Sequence, residues 1–279
     1  MAISIHTNYA ALLTQTNMSK TNSALGTNQQ RLGTGFRVNS AADDAAGLQI
    51  ATRLNAQGRG QMVAQRNAQD GISFLQTAEG ALNEFTNVVL RMKDLAIQSA
   101  NGTNTDATER AALDAEYQQL AAELTNIMGN TSYGSGNKLL DSTNGQLATG
   151  AVTLQIGAGT AETMEVDVST AVGDIDLTTL GDLTTQALSS TEIDALDTIL
   201  TAVGTARGAM GAYINRLNHT INNLANMADN TNTAMGRIMD TDFAAESTKM
   251  TKNNMLMQSS VAMLKQTSQM GGLALSLLG

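Results

Sequence analysis

A mainly α-helical fold follows from three features of the sequence. It is expected as a long antiparallel helical bundle or coiled coil formed by both chain ends, with a small β-hairpin element in the middle. Large apolar residues recur at alternating steps of three and four on both sides of the sequence. Proline is absent from all 279 residues, so nothing in the chain forces a helix to break. A stretch rich in Gly, Ser, Thr and Asn, about 131–190, separates the two periodic halves.

The strongest stripe runs through Ile193, Leu196, Leu200, Val203, Met210, Ile214, Leu217, Ile221, Leu224, Met235 and Ile238, interrupted by Arg207, Ala228 and Thr231. Such a stripe lies along one side of a long helix and has to be covered by other helices. A partner of matching length starts at Gly47 and continues through Ile50, Leu54, Gln57, Gln61 and Ala64 to Leu75, Leu82, Phe85, Val89 and Met92. Fifty helical residues extend about 75 Å. The seam is small and polar in its first half and bulky in its second, so close packing is expected near Leu75 to Met92.

A third, shorter helix presents Leu113, Tyr117, Leu120, Leu124 and Ile127 on one face and ends at Gly129 and Asn130. It follows a turn at 101–105, and Asp106 with Glu109 has capping-box spacing. Within 131–190, Val152, Leu154 and Ile156, then Met164, Val166 and Val168, alternate as two strands joined by a Gly-rich turn. Gly157 and Gly159 make no dinucleotide fingerprint, because the third glycine and the following helix are missing.

The two ends are weaker helices. Ala11, Met18, Leu25 and Leu32 fall seven apart, too thinly to hold a helix without partners. At the other end Phe243, Met250, Met257, Val261 and Leu264 form a stripe, while Met255, Leu256 and Met263 place bulk on another face. A helix apolar on more than one face needs burial all round, and the polar N-terminal segment cannot supply it; other copies of the chain are the expected cover. Between the ends and the periodic halves, Gly33 and Gly35 loosen helix geometry, and Asn39, Ser40, Asp43 and Asp44 offer caps for a new helix. The domain plan is therefore 1–44 plus 239–279 as a terminal coiled coil, disordered in the monomer, and 45–238 as a rod-shaped helical domain carrying the β-element.

Chemistry is scarce. The formal charge of −9 argues against nucleic-acid binding, which needs basic patches. Zero Cys removes disulfides and thiolate metal sites, and two histidines, His6 and His219, are too few for an imidazole site. Asp43 with Asp44, and Asp240 with Asp242, suit helix junctions better than cations. No nucleophile elbow or phosphate loop can be assembled. The expectation is no enzyme, no cofactor, no metal and no membrane insertion, and the N-terminus lacks the pattern of a cleaved secretory signal.

Two stretches carry a family resemblance. Arg31 to Ile50, continued by Asn67-Ala-Gln-Asp-Gly-Ile-Ser-Phe-Leu-Gln-Thr-Ala-Glu-Gly-Ala, resembles the N-terminal signature of bacterial flagellins. Arg216-Leu-Asn-His-Thr-Ile-Asn-Asn-Leu and the closing Leu-Ser-Leu-Leu resemble the C-terminal one. The short middle suggests a compact flagellin, of the lateral-flagellum type. The resemblance implies a structural subunit that polymerises into the flagellar filament for motility, extracellular and exported by the flagellar type III apparatus. Its implied partners are further copies of itself, an export chaperone, and cap and hook-junction proteins. The polymerisation tails would include Leu12, Leu25, Leu32, Phe243, Met250, Met257, Leu264 and Leu277. Contact with the innate receptor Toll-like receptor 5 would use Arg91, Leu95 and Glu116. The pattern is departed from at Gly33, at Phe36 and at Met270-Gly-Gly, where the family commonly has Ser, Leu and a nearby Pro. A hook–filament junction protein shares the paired-end architecture and matches less closely. A signalling coiled coil would need a membrane segment and two equal arms.

Overall fold

Without proline, helices run as far as their packing carries them. In the computed structural model, which describes residues 8–103, 107–134 and 136–276 (side chains to 269), α1 is Tyr9–Thr34, α2 Ala45–Ala100 and α3 Ala107–Asn130. After the β region come α4, Ser169–Gly173, a 3-10 turn at Leu177–Thr179, α5, Gln186–Met239, and α6, Phe243–Ser276. Two small antiparallel pairs lie between: β1 (Ser132–Tyr133) with β2 (Asn137–Lys138), and β3 (Val152–Gln155) with β4 (Thr163–Val166). The alternating runs foretold the second pair. The first, two residues per strand, is too short to carry a period.

The chain divides into two units, Met1–Ala56 with Asn230–Gly279, and Gln57–Asp229. The expected division fell at 44/45 and 238/239. The observed one falls inside α2 and α5, so 45–56 and 230–238 group with the chain ends.

In the central unit, α2, α3 and α5 close over one apolar core. Leu75, Leu82, Phe85, Val89 and Met92 of α2 are fully buried with Tyr117 and Leu124 of α3 and Leu196, Met210 and Leu217 of α5. Lys93 of α2 is ion-paired with Asp197 of α5, and Glu79 lies 3.9 Å from Arg207, which sets the two helices antiparallel. Ala206, not Arg207, takes the seam position, because the guanidinium stays half-exposed at the edge. The early seam of α2 is also shifted. Ile50 and Gln57 are exposed, while Ala51 and Gly58 face inward. Small residues turn inward where backbones approach closely, so the large side chains do not mark the seam there.

Glycines of α2 seat the β3–β4 hairpin. A Cβ on Gly60 would meet the Ala158 Cβ at 2.6 Å and its Cα at 3.1 Å; one on Gly71 would meet Leu154 Cδ1 at 2.5 Å. Asn67 Nδ2 donates to the Gln155 carbonyl at 3.1 Å between them. Leu139, Leu140 and Leu147 plug the core before the hairpin.

Opposite the hairpin end of these helices, a polar network ties segment 181–185 down. Tyr117 Oη donates to Glu192 Oε2 at 2.7 Å, and the Gly181 amide donates to Glu192 Oε1 at 3.0 Å. Asp114 Oδ1 accepts from the Leu183 amide at 2.8 Å, and Ser99 Oγ donates to the Leu183 carbonyl at 2.8 Å. Burial, then the Glu192 carboxylate, pushes the Tyr117 phenol well above its ordinary range.

Candidate functional site

The residues expected to drive assembly lie in the terminal unit, where α1 and α6 pack along each other. Asn8 caps α1, accepting from the Ala11 amide at 3.0 Å, and its Nδ2 donates to the Thr267 carbonyl at 2.9 Å. Arg31 lies 3.8 Å from Glu246 near the opposite end, so the pair is antiparallel. The inward positions of α1 are Ala11, Thr14, Met18, Thr21, Leu25, Asn28 and Leu32. Those of α6 are Glu246, Met250, Asn253, Met257, Ser260, Leu264 and Thr267. Each helix thus alternates an apolar and a polar residue at steps of three and four, a heptad seam with half its apolar content replaced.

The expected tail residues split between two faces. Leu25, Leu32, Met250, Met257 and Leu264 are half-buried in the seam. Leu12 at 63% and Phe243 at 57% exposure face outward, as do Met255 at 61%, Leu256 and Met263. Val261 is exposed too, so the inner stripe of α6 passes through Ser260 instead. Leu277 lies outside the described residues, as does Asp106 of the expected capping box.

The junctions beside this pair are fixed by backbone geometry. α1 runs through Gly33 and stops at Gly35, whose φ of 75° closes the helix with its amide on the Arg31 carbonyl. Gly35 alone, not both glycines, ends it. Residues 35–37 then pair with 239–241: the Thr241 amide donates to the Gly35 carbonyl at 2.9 Å, and Arg37 Nη2 donates to the Ile238 carbonyl at 2.8 Å. Asp43 Oδ2 accepts from the Ser40 hydroxyl and from the amides of Ser40 and Asn39, which lowers its pKa. Asp44 Oδ1 accepts from the Gly47 amide, and Asp242 Oδ1 from the Ala244 and Ala245 amides. These carboxylates are acceptors for helix starts. No metal-holding group of three or more His, Cys, Asp or Glu exists among the described residues, and no described helix is long and apolar enough to cross a membrane.

The three residues matched to receptor contact do not share one surface. Arg91 Nε and Nη2 donate to Glu116 Oε1 at 3.0 and 2.6 Å, both side chains about half-exposed on α2 and α3. Leu95, one turn on, is 1% exposed and faces the core between the helices. Residues one turn apart share a helix face with an offset of about 40°, which here leaves the Arg91 side chain at the rim of the seam and Leu95 within it.

Two comparisons decide the family. The model described as "Bacterial flagellin N-terminal helical region" matches residues 5–145, and "Bacterial flagellin C-terminal helical region" matches 193–278. Polar flagellin B/D of Vibrio parahaemolyticus is 35% identical over 385 aligned positions that cover all of both chains. The chain belongs to the bacterial flagellin family. A flagellin of Halalkalibacterium halodurans is 42% identical over 255 residues, covering 89% of this chain and 90% of the relative. It follows that the chain is a structural subunit of the flagellar filament, the extracellular part of the flagellum, and polymerises with its own copies. The 385 aligned positions exceed the 279 residues present, so the Vibrio relative carries insertions that this chain lacks. A putative flagellar hook-associated protein of Vibrio parahaemolyticus shares the fold, with a TM-score of 0.57 at 16% identity over 71% of this chain and all of the other.

Sequence reasoning missed the two buried polar clusters, Tyr117–Glu192 and Asn28–Glu246. The second had a signal: Thr14, Thr21 and Asn28 also fall seven apart, a polar repeat between apolar ones.

Proposed function

We propose that α1 and α6 supply the polymerising surface of this filament subunit, through apolar side chains that the chain itself leaves uncovered. The observation that carries this is the row of exposed large apolar residues on both helices: Tyr9, Leu12 and Leu13 on α1, and Met255, Leu256 and Met263 on α6. Large apolar side chains exposed in this number mark an interface, and a head-to-tail contact that does not close yields a helical polymer. The half-polar seam gives the pair little stability of its own, so the terminal helices are disordered in the free subunit and gain order by mass action among copies. Export as an unfolded chain by the flagellar type III apparatus, with an export chaperone, fits such a segment. The Arg91–Glu116 face is the part of the receptor contact left accessible to Toll-like receptor 5.

The test substitutes Leu12→Glu and Leu256→Glu, both on outward positions and therefore clear of the α1/α6 seam. Heat-dissociated protein is returned to the cold at high concentration with a precipitating salt, then viewed by electron microscopy. Loss of filaments with an unchanged circular dichroism spectrum is the expected result. Filaments of normal length and width from both variants would refute the assignment.

A further inference from the structure

The driest point of the α1/α6 seam is polar. Asn28 is 6% exposed and Glu246 3%, while Met18, Leu25, Met257 and Leu264 are only half-buried. With its amide oriented to satisfy both sides, Asn28 donates to Glu246 Oε1 and to the Ala24 carbonyl, each at 3.0 Å. Its oxygen accepts from the Met250 amide at 3.2 Å and from Asn253 Nδ2 at 3.1 Å. Arg31 Nη1 lies 3.8 Å from Glu246 Oε1, and Lys249 Nζ 3.1 Å from Oε2. The carboxylate is thus met from α1 by an amide and a guanidinium, and from its own helix by an ammonium.

The rest of the seam cannot fix its own alignment. Apolar and small polar residues repeat every seven positions on both helices, so a slide by one heptad sets Thr against Met or Leu again, and Met or Leu against Ser, Thr or Asn. Only the cluster breaks that repeat. A slide one way sets Glu246 level with Leu25. A slide the other way sets Asn28 level with Met257 and carries Glu246 past the end of α1. Either shift strands a buried carboxylate away from its donors, which is costly even where the intact pair adds little stability. A single buried polar position is known to specify register in coiled coils at some expense of stability.

We propose that Asn28, Arg31 and Glu246 form a register lock, which selects one alignment of α1 on α6 and so makes them specificity-determining residues for assembly. The lock rests on the role proposed above for the terminal helices. Once ordered in the filament, each subunit holds its outward apolar rows in one relative position, because the lock admits no other.

Engineered disulfides report register directly, since the chain has no cysteine of its own. In the native alignment Thr21 is level with Met257. A heptad slide of about 10 Å brings Leu264 or Met250 to it instead, and a disulfide cannot span Cα atoms more than about 7 Å apart. Three full-length variants, Thr21→Cys with Met257→Cys, Leu264→Cys or Met250→Cys, are polymerised as minor components with unmodified subunits, oxidised, and run on a non-reducing gel. Each is repeated with Asn28→Thr and Glu246→Ser, which continue the Thr and Ser pattern of the seam, and with Glu246→Gln as the conservative control. With the lock present, only the 21/257 pair closes within a chain, and Glu246→Gln keeps that result. In the double substitution the 21/264 or 21/250 disulfide increases about tenfold or more, the population shift expected once a slide strands no buried polar group. If the double substitution still closes 21/257 alone, the lock is overturned. If 21/257 fails to close even in the unmodified background, the pairing of α1 with α6 in the filament is wrong, and the lock falls with it.

Discussion

The Tyr117 hydroxyl donates to the Glu192 carboxylate at 2.7 Å inside the central unit, with both side chains buried. Tyr117→Phe removes the donor and leaves a buried carboxylate oxygen unsatisfied, at a cost of about 1–3 kcal/mol. Urea unfolding read by circular dichroism should show the midpoint falling with the slope unchanged. The pH arm follows from the raised phenol. Its folded pKa lies above its unfolded one, so stability is unaffected below about pH 10 and falls as pH rises past that value. Tyr117→Phe loses this component of alkaline destabilisation. Parallel curves for the two proteins above pH 10 would show that the pair is not its source.

Gly60 accepts the β3–β4 hairpin so closely that an added Cβ would meet the backbone of Ala158. Gly60→Ala should therefore displace the turn at 157–160 rather than merely rotate a side chain, and overpacking of this kind costs about 1–3 kcal/mol. Gly71→Ala clashes with the end of the Leu154 side chain, which can swing away, and makes ordinary contact with Leu217 Cδ1 at 3.5 Å. Limited proteolysis across the hairpin, together with thermal melting, should rank Gly60→Ala as the more damaging change. The reverse ranking would mean that the hairpin is not seated on Gly60.

Gln61 is buried in α2, and neither its amide oxygen nor its nitrogen has a hydrogen-bond partner among the described residues. Gln61→Leu replaces two orphaned polar atoms with apolar ones of similar volume, which is neutral to stabilising in such sites. A gain of about 1 kcal/mol raises the melting temperature by about 2–4 °C in a unit of this size. A fall in melting temperature would indicate that the amide is satisfied in solution.

The bulky half of the fold was legible in the sequence because large side chains mark a seam unambiguously: Leu75, Leu82, Leu196 and Leu217 all lie where their spacing put them. Legibility failed where small residues do the packing. Ala51 and Gly58 face inward while Ile50 and Gln57 face out, since close helix approach favours the smaller side chain irrespective of hydrophobicity. It failed again where burial is polar, because Asn28 and Glu246 carry no hydrophobic signal. The Arg91–Leu95–Glu116 set was matched through the family's motif, which fixes positions along the chain and says nothing of which side of a seam Leu95 occupies.

If the terminal helices make the polymer, removing α6 abolishes assembly and leaves the central unit folded. The direct measurement is reassembly of the full chain beside a chain lacking residues 240–279, followed by electron microscopy and sedimentation. The full chain should give long filaments of uniform width. The truncated chain should stay monomeric while keeping most of its helical signal, since the core from Leu75 to Leu217 is untouched. Filaments from the truncated chain would contradict the role assigned to α6.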